Sequence, residues 1–205
     1  MGLLTFKGGA HPYDGKELSM NSAIEAFEPG NILVFPVAQH IGAPATPVVA
    51  VGDRVLAGQK IAEKSGFVSA NIHSSVSGTV KAIEKRLLAT GGMAESIVIE
   101  NDGLYEEAAP FHDKNPEELT RDEIIKIVEE AGIVGMGGAG FPTNIKLSPK
   151  NPESITTIIV NGAECEPYLT SDYRRMVEQG EILVKGLKVV LSLFPGAMGS
   201  LLHSG

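Results

Sequence analysis

The sequence predicts an α+β, multi-domain chain, with a β-rich first part and the opening elements of an α/β part behind it. Three observations predict this. Short apolar runs separated by Gly, Pro, Asn and Asp fill residues 30–100. Helical spacing takes over after residue 119. A continuous apolar run, Ile155 to Val160, then precedes a second helical stripe, the order of an α/β unit.

Residues 1–29 read as an extended N-terminal segment. The β-rich part spans 30–101, with strands predicted at Ile32-Leu33-Val34-Phe35, Val48-Val49-Ala50-Val51, Gly78 to Ile83 and Ser96 to Ile99. Val51-Gly52-Asp53-Arg54-Val55 and Ser77-Gly78-Thr79-Val80 place turn residues between β-branched ones, as hairpin corners require. Close spacing of short strands is the pattern of a small barrel or sandwich.

Residues 102–118 are acidic, contain two prolines and lack periodicity, which reads as a linker. The α/β part follows over 119–205. Thr120 and Glu123 form a capping box, apolar residues follow at 124, 125, 127, 128 and 131, and Gly132 supplies a stop. After Val160 comes a loop, Asn161 to Thr170, and then one helix predicted from Ser171 to Phe194. The stretch Gly196 to Gly205 is weakly patterned and reads as a tail behind an α/β domain cut short.

Composition narrows the function classes. A net charge of −8 argues against the basic footprint of a nucleic-acid binder. Aromatic content of 5% without tryptophan also weighs against a single-strand stacking platform. No run approaches the roughly 18 apolar residues of a membrane span, and the start lacks a secretory signal pattern. A cytoplasmic location is expected, with membrane association only through partner proteins. The single cysteine, Cys165, excludes a disulfide framework and a cysteine-held iron–sulfur cluster within these residues. His11, His40, His73 and His112 lack metal-ligand spacing, so no metal site is expected.

The chemistry concentrates in Gly135-Met136-Gly137-Gly138-Ala139-Gly140-Phe141-Pro142-Thr143, with Lys146 behind it. Four glycines in six residues sacrifice packing and backbone entropy, and let main chain approach a ligand closely. The bare GxGxxG spacing is present, but that fingerprint must follow a strand and open a helix. Here a helix precedes and Phe141-Pro142 follows, which excludes a conventional Rossmann turn, and no Gly-Lys-Ser/Thr ends the run as in a Walker A loop.

The second loop, Asn161-Gly162-Ala163-Glu164-Cys165-Glu166-Pro167, leaves the carboxyl end of the predicted strand, where α/β sheets bind ligands. Its amide and two carboxylates suit polyol hydroxyls and ring N–H groups rather than phosphate. Glycine amides and Lys146 on phosphate, with acceptors on the polyol and ring, fit a flavin mononucleotide or a nicotinamide dinucleotide.

Both loops resemble the FMN- and NADH-binding loops of the NADH-oxidising flavoprotein subunit of respiratory complex I. With Phe6-Lys7-Gly8-Gly9-Ala10-His11-Pro12 and the β-rich domain ahead of them, they resemble more closely the RnfC family, a subunit of the Rnf ion-translocating electron transport complexes. The resemblance implies that Gly135, Gly137, Gly138, Ala139 and Gly140 line FMN, with Lys146 near its phosphate and Phe141 near the nicotinamide or flavin ring. It implies that Asn161 and Glu164 hold FMN and that Glu166 faces NADH. Met136 stands where arginine is usual in the complex I flavoprotein, Ala163 where aspartate is usual and Cys165 where glycine is usual.

The β-rich part resembles the barrel-sandwich hybrid fold of biotinyl and lipoyl domains through Val51 to Ile61 and Ser75 to Val80. Counting back eleven residues from Gly78, where a lipoyl lysine belongs, reaches Phe67, and Lys64 lies three residues too early. A docking module without covalent modification is expected.

The resemblance implies an enzyme subunit that takes hydride from NADH onto FMN and passes electrons through [4Fe–4S] clusters, housed beyond this stretch, toward ferredoxin or in reverse. It implies other Rnf subunits as partners and peripheral attachment to the inner face of the cell membrane. This stretch alone is not expected to turn over. A non-catalytic docking scaffold and a related flavoprotein reductase, such as a cobalamin reductase, are the rival readings.

Overall fold

The computed structural model describes residues 12–110, 114–136 and 138–203. The segment around Phe6 to His11, together with His112 and Gly137, therefore lies outside the described residues. Two compact units are present. One is Phe27–Pro152, and the other takes the described parts of 1–26 and 153–205.

The first unit is built on two antiparallel sheets. One has four strands in the order β1 (Ile32–Pro36), β7 (Met93–Asn101), β6 (Gly78–Leu87) and β3 (Arg54–Val55). The other runs β2 (Thr46–Pro47), β4 (Lys60–Glu63), β5 (Ile72–His73). β6 and β7 form a long hairpin from Gly78↔Asn101 to Leu87↔Met93, with a bulge between Val80 and Ala82. The core draws on both sheets: Phe35, Val55, Val80, Ile97 and Ile99 from one, Ile61, Ala62 and Ile72 from the other. Several of these side chains, Ile61, Ile97 and Ile99 among them, are wholly removed from solvent. At the Ser77-Gly78 corner a β-carbon on Gly78 would stand 2.0 Å from the Glu100 carbonyl oxygen, so only glycine fits this pairing.

Val48 to Val51 is not a strand. The Asp53 carboxylate accepts the Ala50 amide at 2.8 Å and Gly52 turns at φ +97°. This corner leaves Val48 and Val51 exposed, while Val49 packs against the core. The acidic stretch after β7 is bonded to the β-rich layers as far as Ala108, whose amide donates to the Ala57 carbonyl at 2.8 Å. Arg54 pairs there with Asp102 and Glu106, and the Ser77 hydroxyl donates to Asp102 at 2.7 Å. Those bonds, the Ser77 hydroxyl first, hold the Asp102 carboxyl below its ordinary range.

Helix α1 (Arg121–Glu130) starts at the expected capping box. The Thr120 hydroxyl accepts the Glu123 amide, and the Glu123 carboxylate accepts the Thr120 amide at 2.8 Å. The helix ends against the β4–β5 hairpin. Glu130 meets Lys60, Glu129 pairs with Lys64, and Asn71 Nδ2 donates to the Glu130 carbonyl at 3.2 Å. Gly132, at φ +64°, closes the helix so near Asn71 that a β-carbon would lie 2.1 Å from the Asn71 carbonyl oxygen. The glycine loop departs from this anchored point.

The second unit is a strand–helix–helix–strand arrangement. β8 (Thr157–Gly162) and β9 (Met198–His203) pair in parallel from Thr157↔Met198 to Gly162↔His203. The parallel strand is thus present, but it is not buried: among the described residues its sheet has two strands, and Ile159 is exposed. The weakly patterned tail folds as β9.

The long helix predicted after residue 170 is two helices, α3 (Ser171–Glu178) and α4 (Gly180–Ser192), broken at Gln179, where φ is −126° and ψ 25°. They cross between the strands and pack where side chains are absent. A β-carbon on Gly162 would lie 2.9 Å from Met176 Sδ, and one on Gly199 3.0 Å from Leu191 Cδ1. Residues 12–26 lie along the loop and α3, with Ser19 Oγ donating to the Tyr168 carbonyl and Arg174 Nη1 to the Met20 carbonyl.

A candidate cofactor site at the glycine loop

The glycine run is a closed loop rather than a strand-to-helix turn. Val134 and Pro142 form an antiparallel bridge across its base, the Gly135 amide donates to the Phe141 carbonyl at 2.9 Å, and the Thr143 amide to the Ile133 carbonyl at 2.9 Å. α1 precedes it, and only a four-residue helix, α2 (Thr143–Lys146), follows. That order fits the sequence-based exclusion of a Rossmann turn. Lys146, at the end of α2, folds back over the loop. Its Nζ lies 2.6 Å from where a β-carbon of Gly135 would stand. Glycine at 135 is what lets an ammonium group occupy that position.

The far limb is held from the β-rich layers. The Ile41 amide donates to the Ala139 carbonyl at 2.9 Å. Gly140, buried and at φ +65°, passes so close that a β-carbon would lie 2.9 Å from the His40 Cα. Between the limbs opens a cleft of about 560 Å³, lined by Ala38–Ile41 on one side and Val134, Gly135, Met136, Gly138, Ala139 and Gly140 on the other. That volume lies in the range of small-molecule sites. Gly138 faces open space, Met136 is exposed and Phe141 is half-buried. Glycine amides and one ammonium around a small-residue cleft suit a phosphate-bearing ligand with a flat part.

Behind the loop a smaller cavity of about 210 Å³ includes His40, Asn71, His73 and Gly132 in its lining. Burial first, and Lys60 second, press the His73 imidazole below its ordinary value. Glu130 is held low mainly by its bond from Lys126. Burial opposes the Lys60 charge, yet Glu63 and Glu130 outweigh it and raise Lys60.

Asn161, Glu164 and Glu166 belong to the other unit. Asn161 Oδ1 accepts the Ala163 amide at 3.1 Å, turning the chain out of β8. Glu164 Oε1 accepts the Asp172 amide at 2.7 Å and the Tyr173 amide at 3.2 Å, capping α3 where Thr170 makes no side-chain cap. Glu166 and Cys165 are exposed, and the Glu166 carbonyl accepts from Lys16 Nζ at 3.3 Å. Residues 135–146 therefore form one local arrangement, and 161–166 another. The wall at Ala38–Ile41 went unforeseen, since no periodicity or motif in 38–41 marks it.

Comparison with known families decides the relationship. Residues 4–104 match the family model of the RnfC barrel sandwich hybrid domain, and residues 128–199 match that of the Nuo51 FMN-binding domain. Two curated relatives align with this chain over nine-tenths of its length.

The chain belongs to the RnfC family.

It is 46% identical over 193 residues to the RnfC protein of a proton-translocating ferredoxin:NAD(+) oxidoreductase complex from Clostridium ljungdahlii, covering 93% of this chain and 42% of that protein. Identity is 44% to its counterpart in the Na(+)-translocating ferredoxin:NAD(+) oxidoreductase complex of Acetobacterium woodii, over 91% of this chain and 42% of the relative. It is 41% to the counterpart in the ion-translocating oxidoreductase complex of Rhodobacter capsulatus, over 91% and 36%. The chain thus spans about two fifths of the length of these family members. The glycine loop and the Asn161–Glu166 loop both fall inside the FMN-binding match, and β1 to β7 fall inside the barrel-sandwich match.

Proposed function

We propose that this chain is the flavin-bearing part of the NADH-oxidising subunit of an Rnf-type ion-translocating electron transport complex. The observation that carries this is the Lys146 ammonium seated over Gly135 within a match to an FMN-binding domain. The residues fit the group. A phosphate meets a cation where the absent Gly135 side chain leaves room, and the cleft beside it admits a planar ring system. FMN, when bound, supplies the capacity to accept a hydride from NADH and to give up its two electrons one at a time.

The chain's own residues bind and orient. Lys146 neutralises phosphate, Gly135, Gly137, Gly138, Ala139 and Gly140 bring main chain to the ligand, and Phe141 borders the ring. Asn161 and Glu164 contribute acceptors to the flavin from the second loop, and Glu166 faces NADH. No side chain is needed as acid or base. Electrons leave through [4Fe–4S] clusters held by other parts of the protein and reach ferredoxin reversibly, the direction set by the potentials of the two couples. The barrel-sandwich domain docks the protein onto partner subunits, and through them onto the inner face of the membrane. Among the described residues no helix is long and apolar enough to cross a membrane.

The test is to reconstitute the intact subunit with FMN and mix it with NADH in a stopped-flow instrument. Loss of the flavin absorbance on mixing supports the reading. A subunit that takes up no flavin, or whose flavin NADH leaves oxidised, overturns it.

A further inference from the structure

We propose that the Gln39–Ile41 turn of the barrel-sandwich domain is the second wall of the glycine-loop ligand site, and that His40 is the positioning residue that sets it. The inference rests on the flavin reading above. Three contacts carry it. The Ile41 amide donates to the Ala139 carbonyl at 2.9 Å, a bond between the β-rich layers and the far limb of the loop. Gly140 touches the His40 and Gln39 backbone so closely that a β-carbon there would overlap both. The cleft itself is lined in nearly equal parts by Ala38–Ile41 and by the glycine run.

His40 locks this turn to the hairpin beneath it. The neutral tautomer with the proton on Nδ1 satisfies both ring nitrogens: Nδ1–H donates to the Ile41 carbonyl at 3.2 Å, and Nε2 accepts the Ala70 amide at 3.1 Å. One ring thus joins the wall to residues beside β5 and leaves the Ile41 amide directed at Ala139. A loop with four glycines in six residues has a large entropy to lose on binding, and a fixed far limb lowers that loss. Gln39 stands at the rim, with an amide that can both donate and accept toward a polar ligand edge. The barrel-sandwich domain is therefore part of the ligand site as well as a docking module.

The test compares FMN binding by the intact subunit with that of its His40→Ala and His40→Gln variants, followed by flavin fluorescence and the visible absorption band of the bound flavin. Loss of the two ring hydrogen bonds is expected to weaken binding about tenfold in His40→Ala and to shift the band, while His40→Gln, which can donate and accept, recovers most of both. Unchanged affinity and band in His40→Ala overturn the inference, as does weaker binding that glutamine does not relieve. If His40→Ala does not fold, Gln39→Ala reads the same wall: about threefold weaker binding supports the inference and wild-type binding overturns it. A wild-type subunit that binds no FMN overturns the functional reading instead, so the two failures are distinct.

Discussion

The Lys146 ammonium occupies the space that a side chain on Gly135 would fill, 2.6 Å from the ideal β-carbon position. This pairing turns a glycine-rich connector into a site with a charge in it. It also separates binding from folding, because Gly135 lies outside the positive-φ region and the clashing atom is the end of a flexible side chain.

Gly135→Ala is therefore expected to push Lys146 aside with little effect on stability, within about 0.5 kcal/mol by urea unfolding. FMN binding should weaken by about 10- to 100-fold, the range expected for losing a charge-assisted bond to phosphate. Lys146→Ala should match it in calorimetric titration. A Gly135→Ala protein that binds like wild type would show that the ammonium takes no part.

Gly132→Ala should behave in the opposite way. At φ +64°, with backbone oxygen of Asn71 in the path of the new carbon, it carries the left-handed penalty of about 1–2 kcal/mol and a main-chain overlap besides. Denaturant unfolding should record a loss at least that large. An unchanged midpoint would show that α1 does not end against the β4–β5 hairpin.

Glu123 gives a pH signature. Its bonds from the Thr120 amide and hydroxyl, then Lys114, lower its carboxyl from 4.5 to about 2. Because the folded value is the depressed one, its contribution to stability is fully present above pH 4.5 and is lost as pH falls through that value toward about 2. An NMR titration of the Glu123 carboxyl should have its midpoint near the lower value. A midpoint at the ordinary glutamate value would show that the capping box is open in solution.

Glu164→Ala removes the acceptor for the Asp172 and Tyr173 amides, and should destabilise α3 by about 1 kcal/mol, as losing a helix cap does. Glu164→Gln keeps a carbonyl acceptor and should restore most of that. Helical circular dichroism under denaturant checks both, and equal loss in the two variants would contradict the capping role.

What the sequence made legible was local. The capping box at Thr120 and Glu123 needs only a span of four residues, and the β6–β7 hairpin follows from alternation along each strand. Val48 to Val51 misled because an apolar run is indifferent to the Asp53 carboxylate that turns it into a corner. The break at Gln179 lies inside an unbroken helical stripe, and the tail became β9 through pairing with β8, a partner no local pattern names. In the site, the glycine loop and Lys146 were legible because residue type dictates the chemistry. The His40 wall was not, since the Ile41–Ala139 bond joins segments far apart in the chain. Glu164 was legible as an acceptor, but the α3 amides that it meets were not.

The central claim is that Lys146 and the glycine loop hold the phosphate of FMN. The most direct measurement is a calorimetric titration of the intact wild-type subunit and its Lys146→Ala variant with FMN and, separately, with riboflavin, which lacks the phosphate. The account predicts that wild type binds FMN more tightly than riboflavin and that Lys146→Ala erases the difference while leaving riboflavin binding in place. Equal binding of the two ligands by wild type, or a preference for FMN that survives in Lys146→Ala, would contradict it.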